Sequence, residues 1–153
     1  MRTLGLDFGT KTIGVAASDA LGLTAQTVTT IRRTSLKADL AALGELVREY
    51  EVERFVVGLP LNMDGSEGPR AEATRKFADI LTQALGLPVE LWDERLSTVA
   101  AQRTLLEADL SRAKRREVID QLAAQFILQG WLDSRQPPSR PYDAADDDDE
   151  PES

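Results

Sequence analysis

The chain is expected to fold as a mixed α/β domain, in which an antiparallel meander plus parallel strands make a five-stranded sheet with helices on its faces. Three observations predict this. Three strand-like runs succeed one another within the first 32 residues, separated only by short connections. Arg54 to Leu59 (RFVVGL) is continuously apolar after its first residue, as a strand buried on both faces should be. From Ser35 onward, segments of helical period alternate with strand-like ones, and that alternation feeds right-handed crossovers onto a common sheet.

Taken in order, Thr3 to Phe8 alternates toward Leu4, Leu6 and Phe8 and reads as the first strand. Gly9-Thr10-Lys11 makes a tight turn into Thr12 to Ser18, and Thr24 to Arg32, rich in Thr and Val, completes the meander. Ser35 caps a helix running to Glu49, with Leu36, Leu40, Leu43 and Val47 at helical spacing. An irregular loop from Pro60 to Pro69 leads from the fourth strand to a helix over Arg70 to Leu85, whose apolar side is Ala71, Thr74, Phe77, Ala78, Leu81 and Leu85. Pro88 to Asp93 is the fifth strand. Ser97 is placed to cap a helix from Thr98 to Ala108, and Ser111 a last one to about Leu132. The 153 residues suit one domain, 1–134, followed by a disordered acidic tail, 135–153, that lacks the apolar content to fold.

Composition excludes several chemistries. Cysteine and histidine are both absent, which removes disulfides, thiolate metal sites, the commonest general base and the commonest zinc ligand. Ser–His and Cys–His nucleophilic catalysis go with them. No run of 18 or more apolar residues spans a membrane, and no secretory signal opens the chain, so the cytoplasm is the expected compartment. The net charge of −8 runs against a nucleic-acid partner, whose usual footprint is basic. Seven of the acids, however, lie between Asp143 and Glu152; without them 19 acidic residues face 18 basic ones, a net of −1. The basic residues cluster at Arg32, Arg33 and Lys37, and again at Arg112, Lys114, Arg115 and Arg116. Such patches on a near-neutral body suit phosphate.

Three acids stand out. Asp7 interrupts an apolar strand, where a carboxylate is expensive unless paired or bound to a cation, and Gly9 beside it allows close backbone or phosphate approach. The plainer reading makes Asp7 a turn cap accepting from the Gly9 and Lys11 N–H groups. Asp93 and Glu94 end the fifth strand, where open α/β sheets place their sites. Strand alternation gives only one of them a given side. Glu94 is favoured as ligand, though spacing alone leaves Asp93 open, and one of the two can serve Arg95 or the Ser97 cap. Asp120 lies in an otherwise apolar helix on one arc with Ala123, Ala124 and Ile127, with a surface pair to Arg116 as the alternative. Acids converging from three elements need a cation to stay ionised together. Oxygen ligands without His or Cys select Mg²⁺ or Mn²⁺, which orient water for in-line attack on a phosphodiester.

The segments LGLDFGTKTIGVAASD, VVGLPLNMDGSEGPRAEATRKFA, WDERLSTVAA and VIDQLAAQFILQGWL together resemble the YqgF/RuvX family. The resemblance spans Arg2 to Asp133 and implies a ribonuclease H-like fold and a metal-dependent nuclease, with Asp7, Glu94 and Asp120 holding Mg²⁺ or Mn²⁺. It puts Gly9, Thr10, Lys11, Asn62, Arg95 and Ser97 near the site, in backbone or phosphate contact, with Lys11 equally readable as a solvated turn residue; Arg115 and Arg116, from the basic cluster, are the further expected phosphate contacts. The implied partners are RNA or branched DNA, and pre-ribosomal particles, for a monomer or a homodimer; no membrane is involved. The Asp-rich tail is not recognised as part of the family pattern; it reads as a solvating appendage, or more sharply as a phosphate mimic folding back on the basic patch.

Other functions remain in view. Asp-x-Gly-Thr-Lys also resembles the phosphate loop of actin-like ATPases and sugar kinases, but those close two such domains on a nucleotide, more than this length supplies. A module that binds nucleic acid through Arg112 to Arg116 without cutting it is a second rival, tested by metal-dependent cleavage. Within the nuclease reading, processing of pre-16S rRNA leads. Cleavage of four-way DNA junctions is the runner-up, since it needs two symmetric sites and no helix here reads as a dimer seam. Few aromatics are available for stacking, with Trp92 and Trp131 expected to be buried, so recognition should rest on backbone and shape.

Overall fold

A computed structural model describes residues 2–96 and 112–136, with the backbone alone over 112–117. Its strands are β1 (Arg2–Phe8), β2 (Thr12–Ser18), β3 (Ala25–Arg32), β4 (Val52–Leu59) and β5 (Val89–Asp93). Its helices are α1 (Leu36–Tyr50), α2 (Pro69–Leu85) and α3 (Arg112–Arg135), with a single 3₁₀ turn at Glu94–Leu96. The strands form one sheet in the order β3-β2-β1-β4-β5. β1 pairs antiparallel with β2 and β2 with β3, whereas β1 and β4, and β4 and β5, are parallel. This is the expected meander plus parallel extension. Among the described residues no helix is long and apolar enough to cross a membrane.

The sheet separates two cores because its strands alternate. Leu4, Leu6, Ile13, Val15, Ala17, Phe55 and Val57 point to one side and pack with Leu43 of α1 and Phe77 and Leu81 of α2. Ala16 and Val56 point to the other, beneath Ala123, Ala124, Ile127, Leu128, Trp131 and Leu132 of α3. Strand residues on the α3 side are small for a reason. A Cβ at Gly5 would come within 2.6 Å of Leu128 Cβ, so the helix lies nearly on the strand backbone.

Local signals set most of the ends. Ser35 accepts from the Ala38 N–H at 3.1 Å to start α1, and Pro69 opens α2. Gly86, at φ 71°, closes α2 by donating to the Thr82 carbonyl. α3 runs three residues beyond the expected Leu132, to Arg135, where the Ser134 hydroxyl donates to the Trp131 carbonyl at 2.7 Å. Trp131 is buried as expected, but Trp92 is only half-buried, lying against the bare Cα of Gly130. At the sheet edge, the Gln129 side-chain Oε1 accepts from the Ala25 N–H and the Gln125 side-chain Nε2 donates to the Ala25 carbonyl, both at 2.9 Å. The expected Thr98–Ala108 helix with its Ser97 cap, and most of the tail from 135 on, lie outside the described residues.

Candidate active site

Asp7 lies inside β1, 9% exposed, and not in a turn. The Gly9 N–H that a capping Asp7 would take is donated instead to the Thr12 carbonyl, at 2.8 Å. Opposite Asp7 on β2 stands Gly14. On β4 the register Leu6–Val57 carries one step on to set Gly58 beside Asp7. Neighbours in register share a face of the sheet. Asp7 is therefore flanked by two glycines on the face that α3 covers.

Each glycine makes room for another acid. A Cβ on Gly14 would fall 2.0 Å from the Asp120 carbonyl oxygen, so the backbone of α3 rests on β2 at that point. A Cβ on Gly58 would fall 2.7 Å from Glu94 Oε2. The structure thus brings Asp7, Glu94 and Asp120 to the same side of three adjacent strands, one acid for each. Thr12 fixes the third: its hydroxyl donates to Asp120 Oδ2 at 2.5 Å, tying α3 to the start of β2. A hydroxyl that donates to a carboxylate makes a charge-assisted bond.

Asp93 goes elsewhere. Alternation along β5 turns it from the α3 face, and Arg95 grips it in a fork, Nε to Oδ1 at 3.1 Å and NH2 to Oδ2 at 2.8 Å. The guanidinium holds the Asp93 carboxyl below the usual carboxylate range, and Asp93 in turn raises Arg95. Arg95 also donates to the Met63 carbonyl at 3.3 Å, pinning the loop between β4 and α2 to the end of β5.

The other expected contacts are placed unevenly. Thr10 and Lys11 are exposed at the tip of the β1–β2 turn. Gly9 is tightly packed, a Cβ there lying 2.9 Å from the Thr12 carbonyl oxygen. Asn62 folds its own loop, donating from Nδ2 to Ser66 Oγ at 2.9 Å and accepting from the Gly65 N–H at 2.8 Å. Ser97 and the side chains of Arg115 and Arg116 lie outside the described residues. Sequence reasoning missed Thr12, Gly14 and Gly58. The glycines left a signal, since glycine within a strand marks a close approach. Thr12 left none, its partner being 108 residues away.

The donors are all oxygens, a set that suits Mg²⁺ or Mn²⁺ and not zinc. Among the described residues no three acidic side chains stand close enough to enclose an ion by themselves. The acids are gathered on one face without forming a closed cage, so a cation bound there would have to complete their convergence.

Comparison with known proteins gives a consistent result. A protein of Myxococcus xanthus named "Putative pre-16S rRNA nuclease" is 75% identical over 151 residues, 99% of this chain and all of that protein. One of the same name from Moorella thermoacetica is 69% identical over 133 residues, 87% of this chain and 95% of its own. The first alignment extends into the acidic segment. Thermus thermophilus RuvC, solved with a Holliday junction substrate, superposes with a TM-score of 0.56 at 14% identity, over 88% of this chain and 95% of that one. At that identity the likeness is one of fold, ribonuclease H-like. The sequence profile of RuvX, described as Holliday junction resolvase, matches residues 1–134, and the chain belongs to the RuvX family.

Proposed function

We propose that this protein is a cytoplasmic nuclease that hydrolyses phosphodiester bonds in precursor 16S rRNA, with Asp7, Glu94 and Asp120 as its carboxylate centre. The observation that carries the reading is the gathering of these three acids on one face, over the glycines of β2 and β4. A divalent Mg²⁺ or Mn²⁺ held by them would supply charge neutralisation and an activated water. The chain's own part is to fix the carboxylates. β1 holds Asp7 rigidly at the centre, Thr12 orients Asp120, and Arg95 keeps Asp93 away from Glu94's face. The named relatives at 75% and 69% identity support precursor rRNA as substrate; pre-ribosomal particles are where such a substrate would be met. The family description favours the alternative, a four-way DNA junction. A monomer suffices for the first; the second requires a dimer.

One assay tests the reading. Wild type and Asp7→Asn are compared in Mg²⁺, Mn²⁺ and EDTA on a precursor 16S rRNA fragment and a four-way junction. Cleavage of the RNA should need metal, and Asp7→Asn should slow it at least ~10²–10³-fold, the scale on which removing one electrostatic stabiliser slows an enzyme. Its melting temperature should be unchanged or slightly raised, since one of several neighbouring negative charges is gone. Wild-type rates in Asp7→Asn would remove Asp7 from the centre. Binding without cleavage of either substrate would leave a scaffold in place of an enzyme.

A further inference from the structure

On the side of the sheet away from the acids, Phe8 follows Asp7 directly, and its ring stacks on Phe77 at 4.1 Å between centroids. Two guanidinium groups stand against the same ring, Arg33 at 4.4 Å from the centroid and Arg70 at 5.5 Å. Arg33 comes from the chain just past β3, Arg70 from the first turn of α2. Each also grips the backbone that follows Asp7. Arg70 donates to the Phe8 carbonyl at 2.6 Å, and Arg33 to the carbonyls of Gly9 at 2.7 Å and Thr10 at 3.1 Å.

Neither cation is paired with an acid among the described residues. The ion pairs among the described residues join Arg54 to Glu90, Arg75 to Glu67 and Arg95 to Asp93, and none includes Arg33 or Arg70. Asp39, the acid nearest Arg33 in sequence within α1, accepts from the Thr34 N–H. A guanidinium carries five N–H donors, and beyond the carbonyl bonds the remaining nitrogens of both arginines have no partner among the described residues. Two like charges on one ring lie within screening distance of each other and repel. Bracing a turn needs only neutral donors, and a ring face contributes about 0.5–1 kcal/mol per cation without cancelling charge. Purely structural roles leave the pairing of charges unexplained. Exposed Lys11, Arg32 and Lys37 add positive potential at the same end of the sheet.

We propose that Arg33 and Arg70, clasping Phe8, form a binding site for the phosphodiester backbone of the substrate, separate from the acidic centre. The site lies across the end of β1 from Asp7, so a strand passing over that edge would meet the acids on one side and the arginine pair on the other. This inference rests on the nuclease reading and adds to it the track along which the substrate is held.

The test is binding in EDTA, where cleavage is silent, of a short single-stranded RNA and of a four-way DNA junction across a range of salt. Arg33→Gln/Arg70→Gln should flatten the dependence of log K on log salt by about 1.4 on RNA and about 1.8 on duplex arms, from about 0.7 and 0.9 per phosphate contact. The larger loss of affinity identifies the source of the phosphates. Arg48→Gln/Lys76→Gln removes the same charge from exposed positions and should leave the slope unchanged. Because the arginines also brace the turn, the wild-type chain is tested as well: phenylglyoxal should label Arg33 and Arg70 when the protein is free and not when RNA is bound, with Arg48 labelled in both. An unchanged slope in a folded double variant, or equal labelling with and without RNA, overturns the proposal. Failure of the wild-type chain to bind either probe overturns the nuclease reading and this inference with it.

Discussion

Thr12 offers one hydroxyl, yet the direction of the Asp120 carboxylate depends on it. Its hydroxyl donates to Oδ2 of that carboxylate, and hydrogen bonds to charged groups contribute about 1.5–3 kcal/mol, less where solvent competes. Thr12→Val keeps the shape and removes the donor. It should lower stability by about 1 kcal/mol because Asp120 is only half-buried. Cleavage should slow by roughly tenfold, within the 10–100-fold typical of groups that orient a metal ligand. Thr12→Ser should retain both, and a serine variant as impaired as the valine one would show that the hydroxyl is not what orients Asp120. The Arg95–Asp93 pair predicts a pH response. Asp93 is depressed below its ordinary 3.8 by the Arg95 hydrogen bond, so the pair's contribution is fully present above that value and is lost as pH falls through the folded value beneath it. The loop carrying Met63 should therefore stay docked through neutral and mildly acidic pH and loosen only below ordinary carboxylate titration. Amide exchange of Asn62 and Gly65, whose N–H groups are bonded within that loop, followed against pH, measures this. Asp93→Asn should loosen the loop already at pH 7; equal protection in the variant at that pH would show that the pair does not hold it.

The contact between α3 and the sheet separates two kinds of glycine. At Gly14 the obstructing atoms are the Asp120 carbonyl carbon and oxygen, backbone that no rotamer change can move. Overpacking usually costs about 1–3 kcal/mol, and Gly14→Ala should reach or exceed the top of that range, lowering the melting temperature sharply. At Gly58 the nearest atoms are the ends of Ile127 and Glu94, which can swing aside. Gly58→Ala should cost less in stability, about 1–2 kcal/mol, and lose far more in cleavage because Glu94 is displaced. If both variants lost stability equally and Gly58→Ala cleaved normally, Glu94 would not work from above Gly58. At this scale the sequence was most readable. Alternating apolar residues marked β1, Ser35 marked the start of α1, and the continuous run around Val56 marked a buried strand. The face to which Glu94 turns was not readable, because it leaves β5 through a 3₁₀ turn whose geometry the spacing does not encode.

For the whole molecule, charge is divided unequally along the chain. The seven acids between Asp143 and Glu152 account for nearly all of the net −8, and a chain ending at Tyr142 should bind RNA more tightly at low salt. The gain should vanish as screening grows, since exposed charges beyond a Debye length of ~8–10 Å interact weakly. Equal affinity of the two chains at low salt would exclude an electrostatic role for the segment. Which acids could meet was legible early, from one in β1, one after β5 and one in α3. How α3 is brought onto the site was not, because it depends on tertiary approach: bare glycine backbone and a threonine at the far end of the chain. The two α3 glutamines at Ala25 bear on how this protein behaves when crowded. They take both backbone groups at the head of an edge strand, where a second copy would otherwise begin to add its own strand. The sheet is thus shielded at that end from propagating into a fibril, by side-chain amides that imitate a sixth strand.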